Sequence, residues 1–436
     1  MEAFAELRPP LSDEEARVTA ELCLECLGRS PAPCVVACPA DVDVPSFVAA
    51  IAEGDAEGAA RTIFAENFLG GSCARVCPAE VLCQGACVLE HEGRAPVPIA
   101  ALQRYATDRA FAHGVAPRAA AAPNGRRIAV IGAGPAGLAS AAELAALGYA
   151  VTLYDEREEI GGLVRYAIAP YRQQREPLPD ELRALEALGV DIRLGFAIDS
   201  REKLEALAAG AHAVVLAVGM GRDVDVGYAG DDLPGVWESL RFVEALKTGH
   251  APVVGQRVAV IGGGNTAIDV AREARRLGAD AVTVLYRRTE AEMPAYRHEV
   301  EEARDEGVRF EWLVSPLRFL GTEELVAVEC LRMELGEPDE SGRRRPEPVE
   351  GSEFLIPVDT VVKAIGQRPR AEFLEWVDGL ELRHGLMQVD PETGRTGNPK
   401  FFCAGDAING GATAVEAVRG AKLAARAIDE WLGGRL

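Results

Sequence analysis

Ile128-Ala129-Val130-Ile131-Gly132-Ala133-Gly134-Pro135-Ala136-Gly137 is the stretch that decides the fold. Its first four residues read as a buried strand, and Gly132-x-Gly134-x-x-Gly137 as the turn after it. The alanine- and leucine-rich run to position 147 then reads as a helix, and 150–154 as a second strand, which completes a βαβ unit. In such a unit the first glycine permits the tight turn, the second lets the backbone approach a pyrophosphate, and the third lets the helix pack closely on the strand. The helix N-terminus then faces the phosphate charge. Asp155 ends the second strand, where a carboxylate can accept hydrogen bonds from ribose hydroxyls. A bare glycine turn would need none of these flanking parts, and here all of them are present.

The same arrangement returns once, with a strand over 257–261, Gly262-Gly263-Gly264-Asn265-Thr266-Ala267, a helix over 266–277 and a strand over 281–286. Alanine at the third fingerprint position is tolerated. Where the first unit has Asp155, this one has Arg287-Arg288, and two guanidinium groups there favour a 2′-phosphate. NADPH is therefore the expected nicotinamide, with NADH the alternative if the arginines are only a solvated strand end. Two nucleotide sites in one chain imply a nucleotide that stays and one that comes and goes, which assigns FAD to the first site. Gly161-Gly162-Leu163 lies just after Asp155, and Gly405-Asp406 precedes a helix over about 412–431, where the aspartate can meet the ribityl or pyrophosphate part. The chemistry is centred on the flavin, and no side chain need act as nucleophile or acid.

Outward from these units the chain divides into a cysteine-rich part over 1–120, a FAD-binding domain over 121–250 and 367–436, and an NAD(P)H-binding domain over 251–366. The expected class is α/β, with two Rossmann-like domains of the disulfide-reductase kind preceded by a small α-helical iron–sulfur domain. The last segment, with Phe401-Phe402-Cys403, is expected to return to the first sheet, and the alanine-rich 118–124 stretch reads as a linker.

With 68 acidic against 46 basic side chains, a formal charge of −22, the chain is a poor match for nucleic acid or an anionic membrane. No run is long and apolar enough to span a bilayer, and the N-terminus lacks a basic stretch followed by an apolar core. The expected location is the cytoplasm, with NAD(P)H and a protein electron acceptor as partners.

Eight of the ten cysteines fall between Cys23 and Cys87. They read Cys23-x2-Cys26-x7-Cys34-x3-Cys38-Pro39 and Cys73-x3-Cys77-Pro78-x4-Cys83-x3-Cys87. Soft thiolates at these spacings suit iron–sulfur clusters, and in two-cluster ferredoxin runs the cysteine before proline serves the other cluster. Structural zinc is the alternative, since four-cysteine sites also fold small domains. A disulfide reductase would need a close cysteine pair beside the flavin, and none exists between Cys87 and Cys330.

Five segments together resemble the glutamate synthase small-subunit family, which includes the electron-input part of dihydropyrimidine dehydrogenase. They are Cys34-Val-Val-Ala-Cys38-Pro39, Gly71-Ser-Cys-Ala-Arg-Val-Cys77-Pro78, Ile99-Ala-Ala-Leu-Gln103-Arg-Tyr, Tyr286-Arg-Arg-Thr-Glu-Ala-Glu-Met-Pro294 and Gly405-Asp-Ala-Ile-Asn-Gly-Gly-Ala-Thr413. The resemblance implies two [4Fe–4S] clusters, one held by Cys23, Cys26, Cys34 and Cys87, the other by Cys38, Cys77, Cys83 and Gln103, with Cys73 unused. Read without it, all eight thiols would be ligands and Gln103 an exposed helix residue. It also implies FAD contacts at Gly132–Ala136, Asp155, Gly162, Leu163, Arg172, Gly405, Asp406, Ala412 and Thr413, and NADPH contacts at Gly264–Ala267, Arg287, Arg288, Ala364 and Gly366. Two departures are the Cys26–Cys34 gap, about three residues longer than the family's, and Ala167-Ile-Ala-Pro170-Tyr in place of Gly-Ile-Pro-x-Phe.

The expected activity is NADPH oxidation by FAD, with single electrons leaving through the clusters to a catalytic subunit. Alternatives are a stand-alone NAD(P)H:ferredoxin or diaphorase-type flavoprotein, and a flavoprotein with a structural zinc domain and no electron export.

Overall fold

Arg127–Ile131 forms a strand whose last four residues are buried, and it pairs in parallel with Ala150–Tyr154 on one side and Ala213–Leu216 on the other. Such near-continuous apolar strands belong in sheets covered on both faces. In this computed structural model, which describes residues 2–28, 31–115, 117–339 and 342–433, the sheet has five strands. Their order is Phe401–Cys403, Ala213–Leu216, Arg127–Ile131, Ala150–Tyr154, Asp191–Arg193. The strand Phe401–Cys403 makes the return expected of the last segment, pairing in parallel with Ala213–Leu216. Helices Pro135–Ala146 and Ala414–Trp431 pack on each other, burying Leu138, Leu144, Val418 and Ile428.

The chain resolves into two compact units, one of 1–5, 166–171 and 222–368, the other of 6–165, 172–221 and 369–436. The first carries its own parallel sheet, ordered Val236–Glu238, Thr360–Lys363, Arg257–Ile261, Ala281–Tyr286, Arg309–Trp312. Its core is Val258, Val260, Ile268, Ala271, Val282, Val284 and Val362. This unit also holds an antiparallel sheet on which the sequence reading is silent, with Val314–Gly321, Arg344–Pro348 and Phe354–Pro357 all paired to the long strand Leu325–Pro338. Its alternation is broken by register shifts at 316/318 and 335/338, so no clean period of two announces it.

The cysteine-rich part belongs to the second unit and is helical. Ser12, Asp43 and Asp55 cap helices Asp13–Ala20, Val44–Ala52 and Ala56–Glu66 through backbone N–H groups. Helices Gly70–Val76 and Ile99–Ala112 complete the bundle, with Phe47, Phe64, Phe68 and Leu102 at its centre. The 118–124 stretch is coil, but it is tethered. Arg118 donates to the Phe64 carbonyl at 3.0 Å and pairs with Glu143 at 2.6 Å, and Ala121 and Asn124 donate to Ala146 and Gly148. No helix among the described residues is long and apolar enough to cross a membrane.

Candidate functional site

Each fingerprint glycine has a steric reason that the structure makes explicit. A Cβ on Gly137 would lie 1.7 Å from the Gly132 carbonyl, and one on Gly132, whose φ is +103°, would lie 2.3 Å from the Ala217 carbonyl. Gly134 instead faces Gly162, whose own Cβ would stand 2.8 Å from the Gly134 Cα. The loop is stitched on both sides. Ala133 N–H donates to Asp155 Oδ2 at 2.6 Å, and Gly161 N–H donates to the Ala133 carbonyl at 2.8 Å. Asp155 also accepts from Arg157 N–H, and burial pushes its carboxyl up against these two hydrogen bonds. Leu163 opens the short helix Leu163–Tyr166 directly after Gly162.

Gly405 sits against the start of helix Pro135–Ala146, since a Cβ there would be 2.8 Å from that of Ala136. Asp406 Oδ1 accepts from Ala412 N–H at 3.1 Å, which closes the 405–412 loop, and Thr413 caps Ala414–Trp431 in a reciprocal pair with Glu416. Thus the ends of Arg127–Ile131, its neighbour Ala150–Tyr154 and, beyond Ala213–Leu216, Phe401–Cys403 bring Gly132–Gly137, Asp155–Leu163 and Gly405–Thr413 to one edge of the sheet, where the strand order reverses. Arg172 is half-buried at the start of the 172–178 segment.

The other unit repeats the geometry. A Cβ on Gly262 would lie 2.1 Å from the Ala364 carbonyl, which brings Ala364 and the fingerprint together, and Gly366 follows with φ +114°. In front of Gly264 there is open space. The Tyr286 ring lies against Gly263, where a Cβ would stand 2.4 Å from it, and its hydroxyl donates to the Glu292 carbonyl at 2.9 Å. Asn265 Oδ1 accepts from Tyr296 N–H at 2.9 Å, so the 292–296 loop is pinned to the fingerprint. The two arginines part company. Arg287 is exposed, whereas Arg288 is buried, bonded to the Arg344 carbonyl and paired with Asp339 at 2.7 Å. Of the two expected guanidinium groups only Arg287 is thus left facing solvent, because alternate residues at a strand end point to opposite sides.

Helices Pro135–Ala146 and Asn265–Arg276 start at Gly134 and Gly264 with no side-chain cap and no acid in the first turn. Their leading N–H groups are thus left for an anion, which fits both dinucleotide pyrophosphates.

The cysteines gather in two groups. Cys23, Cys26, Cys34 and Cys87 line one cavity with Leu24, Val48, Val97 and Ile99. Burial pushes Cys34 up to about 12, and the neighbouring Cys26, Cys23 and Cys87 add to it; burial, then Cys26 and Cys87, raise Cys23. The second group is Cys38, Cys73, Cys77 and Cys83. The hydrogen bond with Cys73, then burial, raises Cys77, while burial followed by the charge of Cys38 takes Cys83 to about 12. Protonated thiols must lose protons to bind metal, so loading here releases acid. Among the described residues no three His, Cys, Asp or Glu side chains meet closely enough to share one ion. Thiols spread around a cavity suit a cube of four irons, each taking one ligand, better than a single zinc.

Gln103 is half-buried, not exposed, and its Nε2 donates to the Gly70 carbonyl at 2.7 Å, which leaves its oxygen as the acceptor end. Cys73 is buried on the same helix, Gly70–Val76. The long Cys26–Cys34 spacing runs through residues 29 and 30, which lie outside the described residues. Cys330 and Cys403 are each buried within a strand.

Sequence reasoning missed Ser72 and Glu181, which join the thiol helix to helix Leu178–Ala187, since a hydrogen bond across 109 positions leaves no local signal.

Residues 126–421 match the family described as pyridine nucleotide-disulphide oxidoreductase, and residues 1–115 match dihydropyrimidine dehydrogenase domain II, 4Fe-4S cluster. The chain is 36% identical to the glutamate synthase [NADPH] small chain of Escherichia coli (strain K12), covering 98% of this chain and 94% of that one. It is 38% identical to the NADP(+)-dependent formate dehydrogenase subunit beta of Moorella thermoacetica, covering 92% of this chain and 60% of the relative's length. Among solved structures, Mycobacterium tuberculosis FprA in complex with NADPH superposes with a TM-score of 0.59 at 20% identity, over 71% of this chain and 85% of that one. At that identity the likeness speaks for the fold alone.

Proposed function

The chain belongs to the pyridine nucleotide-disulphide oxidoreductase family, in the branch of the glutamate synthase small chains, and on that premise we propose that it is the electron-input subunit of a larger cytoplasmic enzyme, oxidising NADPH and delivering single electrons through two [4Fe–4S] clusters to a catalytic partner. The observation that carries this reading is the gathering of Cys23, Cys26, Cys34 and Cys87, drawn from separated stretches, around one cavity, beside a second group of thiols.

Bound FAD would supply hydride acceptance from NADPH and bound clusters one-electron transfer, chemistry that no side chain of the chain supplies by itself. The chain's own residues bind and orient. Gly132–Gly137 and the uncapped helix behind them would hold the FAD pyrophosphate, Asp155 its ribose, and Gly162, Leu163, Arg172, Gly405, Asp406, Ala412 and Thr413 the remainder. Gly262–Ala267 would hold the NADPH pyrophosphate and Arg287 its 2′-phosphate, with Ala364 and Gly366 alongside. Cys23, Cys26, Cys34 and Cys87 would hold one cluster; Cys38, Cys77, Cys83 and the Gln103 oxygen would hold the other.

The test is iron and acid-labile sulfide per FAD on anaerobically purified protein. About eight irons per flavin are expected, as two four-iron clusters require. Zinc in their place would sink the electron-export reading and leave a flavoprotein with a structural metal domain.

A further inference from the structure

Glu181 has no exposed surface, and its two oxygens accept from Ser72, one from the backbone N–H at 2.9 Å and one from the hydroxyl at 2.7 Å. The Ser72 hydroxyl also receives Gln173 Nε2 at 3.3 Å. Among the described residues the cation in reach is Arg75, one turn along the thiol helix; its Nη2 already donates to both Asp108 oxygens at 2.9 Å and its Nη1 to the Gly71 carbonyl at 3.1 Å. A buried carboxylate without an ion-pair partner of its own is costly, and protonation relieves that cost.

Its position is the second observation. Helix Leu178–Ala187 starts against the candidate flavin turn, where a Cβ on Gly161 would meet the Leu178 side chain at 2.7 Å. The same first turns lie against the thiol helix, where a Cβ on Gly71 would meet Pro177 at 2.8 Å and Glu181 Oε1 at 3.4 Å. Residues 177–181 thus span from the flavin turn to the helix that carries Cys73 and leads into Cys77.

Resting on the two-cluster reading, we propose that Glu181 is a proton-accepting residue for the electron step at the cluster of the Gly70–Val76 helix. When that cluster gains one electron, a proton from solvent water forms an O–H bond on the Glu181 carboxylate; when the electron leaves for the partner, that bond breaks and the proton returns. No other atom is exchanged. The added negative charge favours the protonated form, and by reciprocity the proton makes the cluster easier to reduce. Burial pushes Glu181 up to about 7, opposed by the two Ser72 hydrogen bonds and Arg75 and aided by Asp180, so the exchange falls within the working pH range.

The experiment is an EPR-monitored redox titration of the holoprotein, its iron and FAD first assayed, at a series of pH values running from acid through neutral to alkaline. In the wild type the potential of this cluster falls as pH rises; in E181Q it is independent of pH, and E181D restores part of the slope. A flat wild-type profile with both clusters present, or an unchanged slope in E181Q, overturns the inference alone, whereas a protein without iron overturns the two-cluster reading and the inference with it. Should E181Q not fold, the reduced-minus-oxidised infrared difference spectrum of the wild type decides: a protonated carboxyl band gained on reduction supports the proposal, and its absence overturns it.

Discussion

Glycines that look alike in the two fingerprints differ in what surrounds them. Gly264 has an ordinary extended backbone, φ −88°, and open space in front of it, so alanine fits the fold there. Gly264→Ala is expected to leave the melting temperature unchanged while raising the NADPH KM about tenfold, roughly 1.4 kcal/mol of binding, because the new methyl occupies the pyrophosphate's place. Gly137→Ala, with its Cβ 1.7 Å from a carbonyl, is expected instead to lose FAD during purification, which flavin absorbance per protein measures. The arginines separate in the same way. Arg287→Ala should raise the KM for NADPH about tenfold and leave NADH untouched, whereas Arg288→Ala should lower thermal stability by about 1–3 kcal/mol through the buried partners it strands, with nicotinamide preference retained. An equal loss of NADPH preference in both variants would restore the two-arginine clamp.

At the scale of elements, the thiol bundle is held to the sheet by few but specific ties. Lys422, in the middle of helix Ala414–Trp431, is buried and donates to the Ala40 carbonyl at 2.8 Å and to Glu66 at 2.5 Å. Ala40 follows Cys38-Pro39, so the helix that closes the first sheet also fixes a thiol loop. Lys422→Met keeps the stem and strands the carbonyl, at a cost of about 1–3 kcal/mol. The expected result is faster iron loss in air at unchanged FAD content, followed by iron and flavin assays over time; matched loss of both would place the effect in the fold at large.

For the whole molecule, the local patterns were the legible ones. The two βαβ units announced themselves because strand, glycine turn and helix are consecutive, and the cysteine clusters because thiols at such short, repeated spacings followed by proline match metal-ligand runs. Which thiols face which could not be read from spacing alone, since Cys87 joins Cys23, Cys26 and Cys34 in space while Cys38 lies with Cys77 and Cys83. Gln103 read as a surface residue until Gly70 was found to hold its amide. The antiparallel sheet stayed hidden behind its bulges. By itself the sequence determined the two dinucleotide folds, the nucleotide-binding chemistry and the metal-binding character of the first hundred residues, because backbone conformation and ligand type are properties of a few adjacent residues. The tertiary structure decided the grouping of thiols, the different settings of Arg287 and Arg288, and the Ser72–Glu181 link, because burial and hydrogen bonding between distant segments exist only once the chain has packed.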